Sequence, residues 1–213
     1  MASFDSAYNL YIKPNEGGYS NVAADKGGET YAGIARNYHP AWPGWTYIDF
    51  VKRTKGPISN NKIFPDVQYQ VDQFYRDWWN AKHFGEIKSQ ELANLLFDYN
   101  VNSGTLAITA IQRIVGVPAD GMMGPATIAA INKADPAKVH DALKEDRRKL
   151  YESLIARDPS QQVFSAGWTA RLSRFPSMVV DSPTNWGILT VGLIVVAYYI
   201  YTSSQSKSKR KHA

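Results

Sequence analysis

Two carboxylates and one hydroxyl lie close together in a glycine-rich segment near the start of the chain. Glu16 is followed by Gly-Gly-Tyr, Asp25 precedes a second pair of glycines, and Thr30 follows that pair closely. Because glycine permits tight turns, the chain is expected to fold back on itself here. A carboxylate at a rigid helix end, facing another on a tight hairpin, suits polysaccharide cleavage, since one group donates a proton while the other stays ionised.

Each of these side chains also has an ordinary structural interpretation. Glu16 taken alone is a solvated glutamate at a helix end, Asp25 is a turn-forming aspartate, and Thr30 is a β-branched strand residue. In the catalytic interpretation, Asp25 orients water or stabilises positive charge at the anomeric carbon, and Thr30 positions a water molecule through its hydroxyl. Both interpretations stay open on residue type and spacing alone.

The elements that position these residues are predicted from hydrophobic spacing and from proline and glycine. A first helix over residues 3–11 is expected to end near Pro14, so that Glu16 stands at a helix end. Residues 19–34 are predicted to form a short hairpin or an irregular loop. Further helices are predicted over residues 65–84, 89–101, 105–115, 124–133, 136–157 and 162–175.

Residues 40–62 are predicted to be rich in loops, and they contain a group of aromatic side chains. Such a group either stacks on sugar rings or forms a local core beneath a long loop, and the local core is the favoured interpretation. The aromatic residues concerned are Trp42, Trp45, Tyr47 and Phe50.

Composition narrows the class of protein further. The chain has 213 residues and no cysteine, which excludes disulfides, thiolate metal sites and a cysteine nucleophile. Four histidines are scattered along it, so neither a metal site nor any other cofactor is predicted. Four cationic residues within 203–213 account for most of the net charge of +5, so a nucleic-acid-binding body is not indicated.

The C-terminal part of the chain has a different character. Residues 186–202 are uncharged and mostly apolar, with a tryptophan at one end and tyrosines at the other, as at the two interfaces of a bilayer. A buried C-terminal core helix is the alternative. The sequence predicts a membrane-spanning helix, with the basic tail 203–213 contacting anionic lipid or nucleic acid.

The glycine-rich segment resembles a known family signature. Glu16-Gly-Gly-Tyr with Asp25-x-Gly-Gly-x-Thr30-x-x-Gly-Ile resembles the N-terminal signature of the glycoside hydrolase family 108 muramidases, which are lysozyme-like enzymes found mostly in phages and prophages. The second half resembles the predicted peptidoglycan-binding region that follows in that family. Its matching motifs are Leu96-Phe-Asp98-Tyr-Asn-Val-Asn102-Ser-Gly104, Ile111-Gln112-x-x-x-Gly116-Val, Asp120-Gly121-x-x-Gly124-Pro125-x-Thr127 and Gly167-Trp168-x-x-Arg171.

The resemblance implies cleavage of bacterial peptidoglycan between N-acetylmuramic acid and N-acetylglucosamine, with Glu16 as the catalytic acid. Asp25 and Thr30 are similar to the remaining members of the triad of phage-type lysozymes, although one residue fewer separates them here. Four residues are predicted to contact the glycan, with capping and buried hydrogen bonding as the structural alternative for the last two. These residues are Tyr19, Tyr31, Asp98 and Asn102.

The predicted fold class is mainly α: a lysozyme-like helical domain with a small β-hairpin at the active site, followed by a single C-terminal transmembrane helix. The predicted parts are a muramidase region (1–88), a helical peptidoglycan-binding region (89–176), a linker (177–185), the membrane span and the basic tail. The predicted location is the membrane of a lipid-containing phage or the host inner membrane, with the catalytic domain facing the wall. A non-catalytic peptidoglycan-binding membrane protein and a lytic transglycosylase are the alternative functions.

Overall fold

A computed structural model describes residues 1–15, 17–22 and 27–179, and most of these residues are helical. This confirms the mainly α fold class and is consistent with a lysozyme-like helical fold. The α-helices are α1 (Phe4–Ala7), α2 (Gly44–Lys55), α3 (Gln68–Ala81), α4 (Gln90–Ser103), α5 (Thr105–Val115), α6 (Pro125–Lys133), α7 (Pro136–Arg157) and α8 (Ser165–Ser173). Short 3-10 turns cover Pro65–Val67, Phe84–Glu86 and Pro159–Phe164.

The first helix runs further than α1 alone. The backbone continues through a π-helical turn at Tyr8–Ile12 and a 3-10 turn at Lys13–Asn15. The Ser3 hydroxyl accepts a hydrogen bond from the Ser6 amide at 3.4 Å and so caps the first turn. The helical backbone is thus described as far as Asn15, and it is no longer helical at Gly17.

The predicted hairpin is a small three-stranded antiparallel sheet, β1 (Tyr19–Ser20), β2 (Thr30–Tyr31) and β3 (Ile34–Ala35), in that order. Tyr31 pairs with Tyr19 on one side and with Ile34 on the other. Ala32 and Gly33 connect β2 to β3 with φ angles of 46° and 74°, the left-handed conformation that a two-residue hairpin turn requires.

The loop prediction for residues 40–62 is wrong over its centre, where α2 forms. Trp45, Ile48 and Val51 are buried along one face of α2 at helical spacing, but the density of aromatic residues and the Pro43-Gly44 pair obscured that periodicity. Trp42 and Trp45 are buried, which confirms the aromatic core for these two, whereas half of Phe50 is exposed.

Helix α4 lies at the centre of the fold. Every residue from 92 to 100 is buried, so the helix is covered on all sides. α1, α5 and α7 all contact it. Phe97 on α4 packs against the rings of Phe4, Trp79 and Phe84, which joins the first helix and α3 to the same core.

Residues Met1–Met178 form one compact unit. Within the described residues, no helix combines the length and the apolar character needed to cross a bilayer. The predicted membrane span 186–202 and the predicted basic tail lie outside the described residues, and so does most of the predicted linker.

Candidate active site

Glu16 and Asp25 lie outside the described residues, so the structure gives the surroundings of the predicted acid and not its own position. On one side of residue 16 the first helix ends at Asn15, and on the other Gly17 and Gly18 lead directly into β1. The predicted acid is therefore bracketed in sequence by a helix end and a strand start. Both flanking elements are held by the core.

The second glycine of the Glu-Gly-Gly-Tyr motif is required by close packing. A Cβ atom on Gly18 would lie 2.4 Å from the carbonyl oxygen of Lys62, which is backbone and cannot swing away. The Tyr19 amide donates to that same oxygen at 2.8 Å, and the Asn61 amide donates to the Tyr19 carbonyl at 2.7 Å. The loop before Phe64 thus pairs with β1 and fixes the backbone that follows residue 16.

A cavity of about 170 Å³ opens beside this backbone. Lys13 and Gly17, which flank residue 16 in sequence, both line it. The other lining residues are Tyr8, Tyr31, Ala32, Ile63, Gln68 and Val71. Its walls are mainly apolar, a setting that favours the protonated form of a carboxyl group.

One wall of this cavity carries a polar network that the sequence analysis missed. The Tyr8 hydroxyl donates to Oδ1 of Asp72 at 2.7 Å, and the Gln68 amide donates to the same oxygen at 2.8 Å. Gln68 and Asp72 are four residues apart on one face of α3, and this spacing was the available signal. The network fixes the side chains that face the cavity from α3.

Thr30 and Tyr31 stand next to each other on β2 and have different surroundings. The half-buried Thr30 hydroxyl donates to the Gly28 carbonyl at 3.1 Å. Tyr31 is buried; its hydroxyl accepts from the Phe64 amide at 2.8 Å and donates to the Phe64 carbonyl at 3.2 Å. Burial raises the pKa of Tyr31. Of the residues predicted to contact the glycan, Tyr31 lines the cavity.

A second charged cluster, also missed from sequence, lies beside Tyr19. The Glu29 carboxylate contacts Nζ of Lys52 at 2.7 Å and Nε of Arg36 at 3.0 Å, and Asp49 contacts both cations. Burial raises the pKa of Tyr19, and a hydrogen bond to Glu29 raises it further. This cluster joins the sheet to α2, and it holds Tyr19 with only 3% of its surface exposed.

Asp98 lies in the core, away from solvent. Arg147 on α7 donates to Oδ2 of Asp98 at 2.6 Å, and Arg171 on α8 donates to both carboxylate oxygens at 2.8–3.1 Å. Neither Asp98 nor Arg147 has any exposed side-chain surface. In this arrangement Asp98 offers no surface to a glycan, which favours the buried hydrogen-bonding alternative for this residue.

Asn102 remains exposed near the end of α4. Its amide donates to the carbonyl of Asp98 one turn earlier at 2.8 Å. The buried Asn100 accepts from the Trp78 indole at 2.8 Å and donates to the Gly104 carbonyl at 2.7 Å. The end of α4 is thus stabilised by its own side chains.

The glutamine motif of the second half organises a loop. The buried Gln112 amide donates to the Asp120 carboxylate at 2.7 Å and to the Met122 carbonyl at 2.9 Å, and its oxygen accepts from the Gly121 amide at 2.9 Å. Thr127 contributes a further contact at 3.2 Å. The motifs around Gln112 and Asp120 therefore describe one structural feature, the turn that leads into α6.

Across the described ranges, no three histidine, aspartate or glutamate side chains form a cluster suited to a metal ion.

Comparison with known proteins agrees with the resemblance drawn from the motifs. Residues 10–104 match the family described as Glycosyl hydrolase 108, and residues 106–173 match the family described as Predicted Peptidoglycan domain. Among solved structures, that of Brucella abortus SagA is similar, with 26% sequence identity and a TM-score of 0.58, and the match covers 77% of this chain and 86% of that one. No curated protein matches the sequence. The chain therefore combines, in this order, a region that matches the glycosyl hydrolase 108 family and a region that matches the predicted peptidoglycan domain.

Proposed function

We propose that this protein hydrolyses the glycan strands of bacterial peptidoglycan between N-acetylmuramic acid and N-acetylglucosamine, with Glu16 as the general acid. The observation that carries the proposal is the match of residues 10–104 to a glycosyl hydrolase family, because that stretch includes Glu16 and its glycine motif. The match of residues 106–173 supports peptidoglycan as the partner.

In this proposal Glu16 holds a proton near neutral pH and delivers it to the bridging oxygen of the scissile bond. Tyr31 and Val71, two buried residues that line the neighbouring cavity, support this, because desolvation favours the neutral carboxyl group. Asp25 is the ionised partner that orients water or stabilises the oxocarbenium-like transition state. The Thr30 hydroxyl donates to the Gly28 carbonyl and so has its oxygen lone pairs available for a water molecule.

The test is digestion of purified sacculi by the full chain and by Glu16→Gln. We expect the parent to release fragments with reducing ends and Glu16→Gln to be at least about 100-fold slower, since the amide cannot act as an acid. Glu91→Gln is the matched control, because Glu91 is an exposed glutamate on α4 and its loss should leave the rate unchanged. Circular dichroism of each variant verifies the fold.

Three other outcomes would contradict parts of this proposal. Cleavage by Glu16→Gln at the parent rate would exclude Glu16 as the acid. Release of 1,6-anhydro ends by the parent would indicate a lytic transglycosylase. Binding to sacculi without release would leave a peptidoglycan-binding protein, a function that the match of residues 106–173 also supports.

We also propose that residues 186–202 hold the enzyme at a membrane with its catalytic region towards the wall, in a lipid-containing phage or at the host inner membrane. The support is the sequence itself, which is uncharged over this stretch and carries aromatic residues at both ends. The basic residues that follow would contact anionic headgroups or nucleic acid.

A further inference from the structure

A groove of about 740 Å³ lies between α3 and the segment that follows β3. It is separate from the cavity beside residue 16. Gln68 and Val71 face that cavity, whereas Tyr69, Gln73 and Asp77 line the groove. At 100° per residue these two sets fall on opposite sides of α3, so the helix stands between the groove and the cavity.

Aromatic rings dominate the groove. Tyr38 and Tyr69 both line the groove and are 67% and 70% exposed, so much of each ring is open to solvent. Trp42 is buried beneath them and Phe74 is half-buried. Exposed rings beside a half-buried aromatic floor present flat apolar faces, and the axial C–H faces of a pyranose are the complementary surface.

Three polar side chains of the groove have atoms that no described residue satisfies. Oε1 of Gln70 is buried, yet it accepts no hydrogen bond from any described residue. The side chains of the half-buried Gln73 and the exposed Asp77 make no hydrogen bond or ion pair with described residues and are open to a ligand. A buried carbonyl oxygen without a donor is costly, so this oxygen is a position where a ligand N–H or O–H would be favourable.

The charge of the groove selects among ligands. Asp77 is its anionic residue, and neither lysine nor arginine is among the described residues that line it. Burial lowers the pKa of His39, which keeps that imidazole neutral at neutral pH. Phosphate- or carboxylate-rich chains would therefore be disfavoured, whereas a neutral chain with hydroxyl and acetamido groups meets rings, acceptors and amide donors.

We propose that this groove is a second saccharide-binding site, which holds a neutral N-acetylated glycan chain on the face of α3 opposite the cavity beside residue 16. That the chain is the sugar backbone of a peptidoglycan strand, with its charged stem peptides outside the groove, rests on the proposed function, whereas saccharide binding itself does not. A polymer held at this second position stays near the catalytic region after each cleavage, because the next encounter is then intramolecular.

The test is calorimetric titration with the hexamer of N-acetylglucosamine, using the full chain with Glu16→Gln so that the probe is not cut. Tyr69→Ala and Gln73→Ala are each introduced into that background. Loss of the stacked ring should weaken groove binding about five- to tenfold, and loss of the amide should weaken it less. Because the cavity beside residue 16 offers another site for the probe, each titration is fitted for the number of sites as well as for affinity.

Phe50→Ala is the matched control, since Phe50 is an exposed aromatic residue on α2 that does not line the groove. We expect its titration to equal that of the parent. Equal titrations for Tyr69→Ala, Gln73→Ala and the parent would overturn the proposal, and so would the absence of any binding by the parent. If Tyr69→Ala and Gln73→Ala weaken binding but the parent releases nothing from sacculi, the proposed hydrolase activity would be wrong. The proposed saccharide site in the groove would still stand.

Discussion

At the scale of single residues, the buried carboxylate of Asp98 accounts for two sequence motifs. One is the motif that contains Asp98, and the other is the motif that ends at Arg171. Asp98 belongs to the first matched region, whereas Arg147 and Arg171 belong to the second, and the three side chains meet in the core. Taking a carboxylate out of water is expensive unless cations and hydrogen bonds replace the solvent. Two arginines on different helices supply that replacement here, so the trio fixes α7 and α8 against α4.

We therefore predict that Asp98→Asn destabilises the protein strongly. Removing one partner of a buried ion pair typically costs about 3–5 kcal/mol, because the remaining charge is left without compensation. Urea unfolding followed by circular dichroism measures the change. Glu145→Gln is the control: Glu145 pairs with Arg148 on the exposed side of α7, so its loss should move the unfolding midpoint little.

The same variant separates the structural role of Asp98 from the predicted substrate contact. At a temperature where Asp98→Asn is folded, its rate on sacculi should equal that of the parent, since the carboxylate reaches no solvent. An unchanged urea midpoint together with a reduced rate would instead favour contact with the glycan.

At the scale of elements, the turn that leads into α6 depends on one ionised side chain. The Met122 amide and then the Gln112 amide donate to the Asp120 carboxylate, and both lower its pKa. The pKa of an aspartate in an unfolded protein is about 3.9. Because the pKa of Asp120 is lower than this in the folded protein, its ionised carboxylate stabilises the fold at pH values above the unfolded pKa. That contribution is lost as the pH falls through the lowered folded pKa.

The expected result is a pH-dependent difference between the parent and Asp120→Asn. At pH 6 the variant should unfold at a lower urea concentration. The gap should narrow as the pH falls below the unfolded pKa and through the lowered folded pKa, because Asp120 is protonated in both states of the parent only below both values. Asp77→Asn serves as control, since Asp77 is exposed and makes no hydrogen bond or ion pair with a described residue, and the variant should follow the parent across the same pH range. A gap that is constant from pH 6 to 3 would show that the charge of Asp120 contributes nothing.

At the scale of the whole molecule, the two matched regions share one core. Residues 92–100 of α4 belong to the first region, and they are covered partly by α5 and α7 of the second. A helix that is buried on all sides would expose apolar surface if α5 and α7 were removed. The described unit Met1–Met178 is thus built from both matched regions together.

The proposed membrane attachment is also tested on the whole chain. In detergent phase separation, the full chain should enter the detergent phase, and a chain that ends after Met178 should remain in the aqueous phase, because the apolar stretch 186–202 is then missing. Removing only residues 203–213 is the control and should leave the partition unchanged. A full chain found in the aqueous phase would contradict the membrane attachment.

The sequence by itself determined most of the helices and the family signature that contains the predicted acid. Proline, glycine and capping residues end elements within a few positions, and apolar spacing is a local property, so α5 and α7 were predicted at their observed bounds. The glycine motif around Glu16 was likewise readable as a signature, and the family match confirms the resemblance. Helix α2 was missed because its aromatic residues hid its periodicity.

Only the tertiary structure decided which side chains meet across long separations. Asp98 is paired with residues 49 and 73 positions further along the chain, which turns a predicted glycan contact into a buried ion pair. The groove proposed to bind a saccharide likewise lies between α3 and the segment after β3. Local spacing fixes which face of a helix a residue occupies, but which other element covers that face depends on how all the helices pack together.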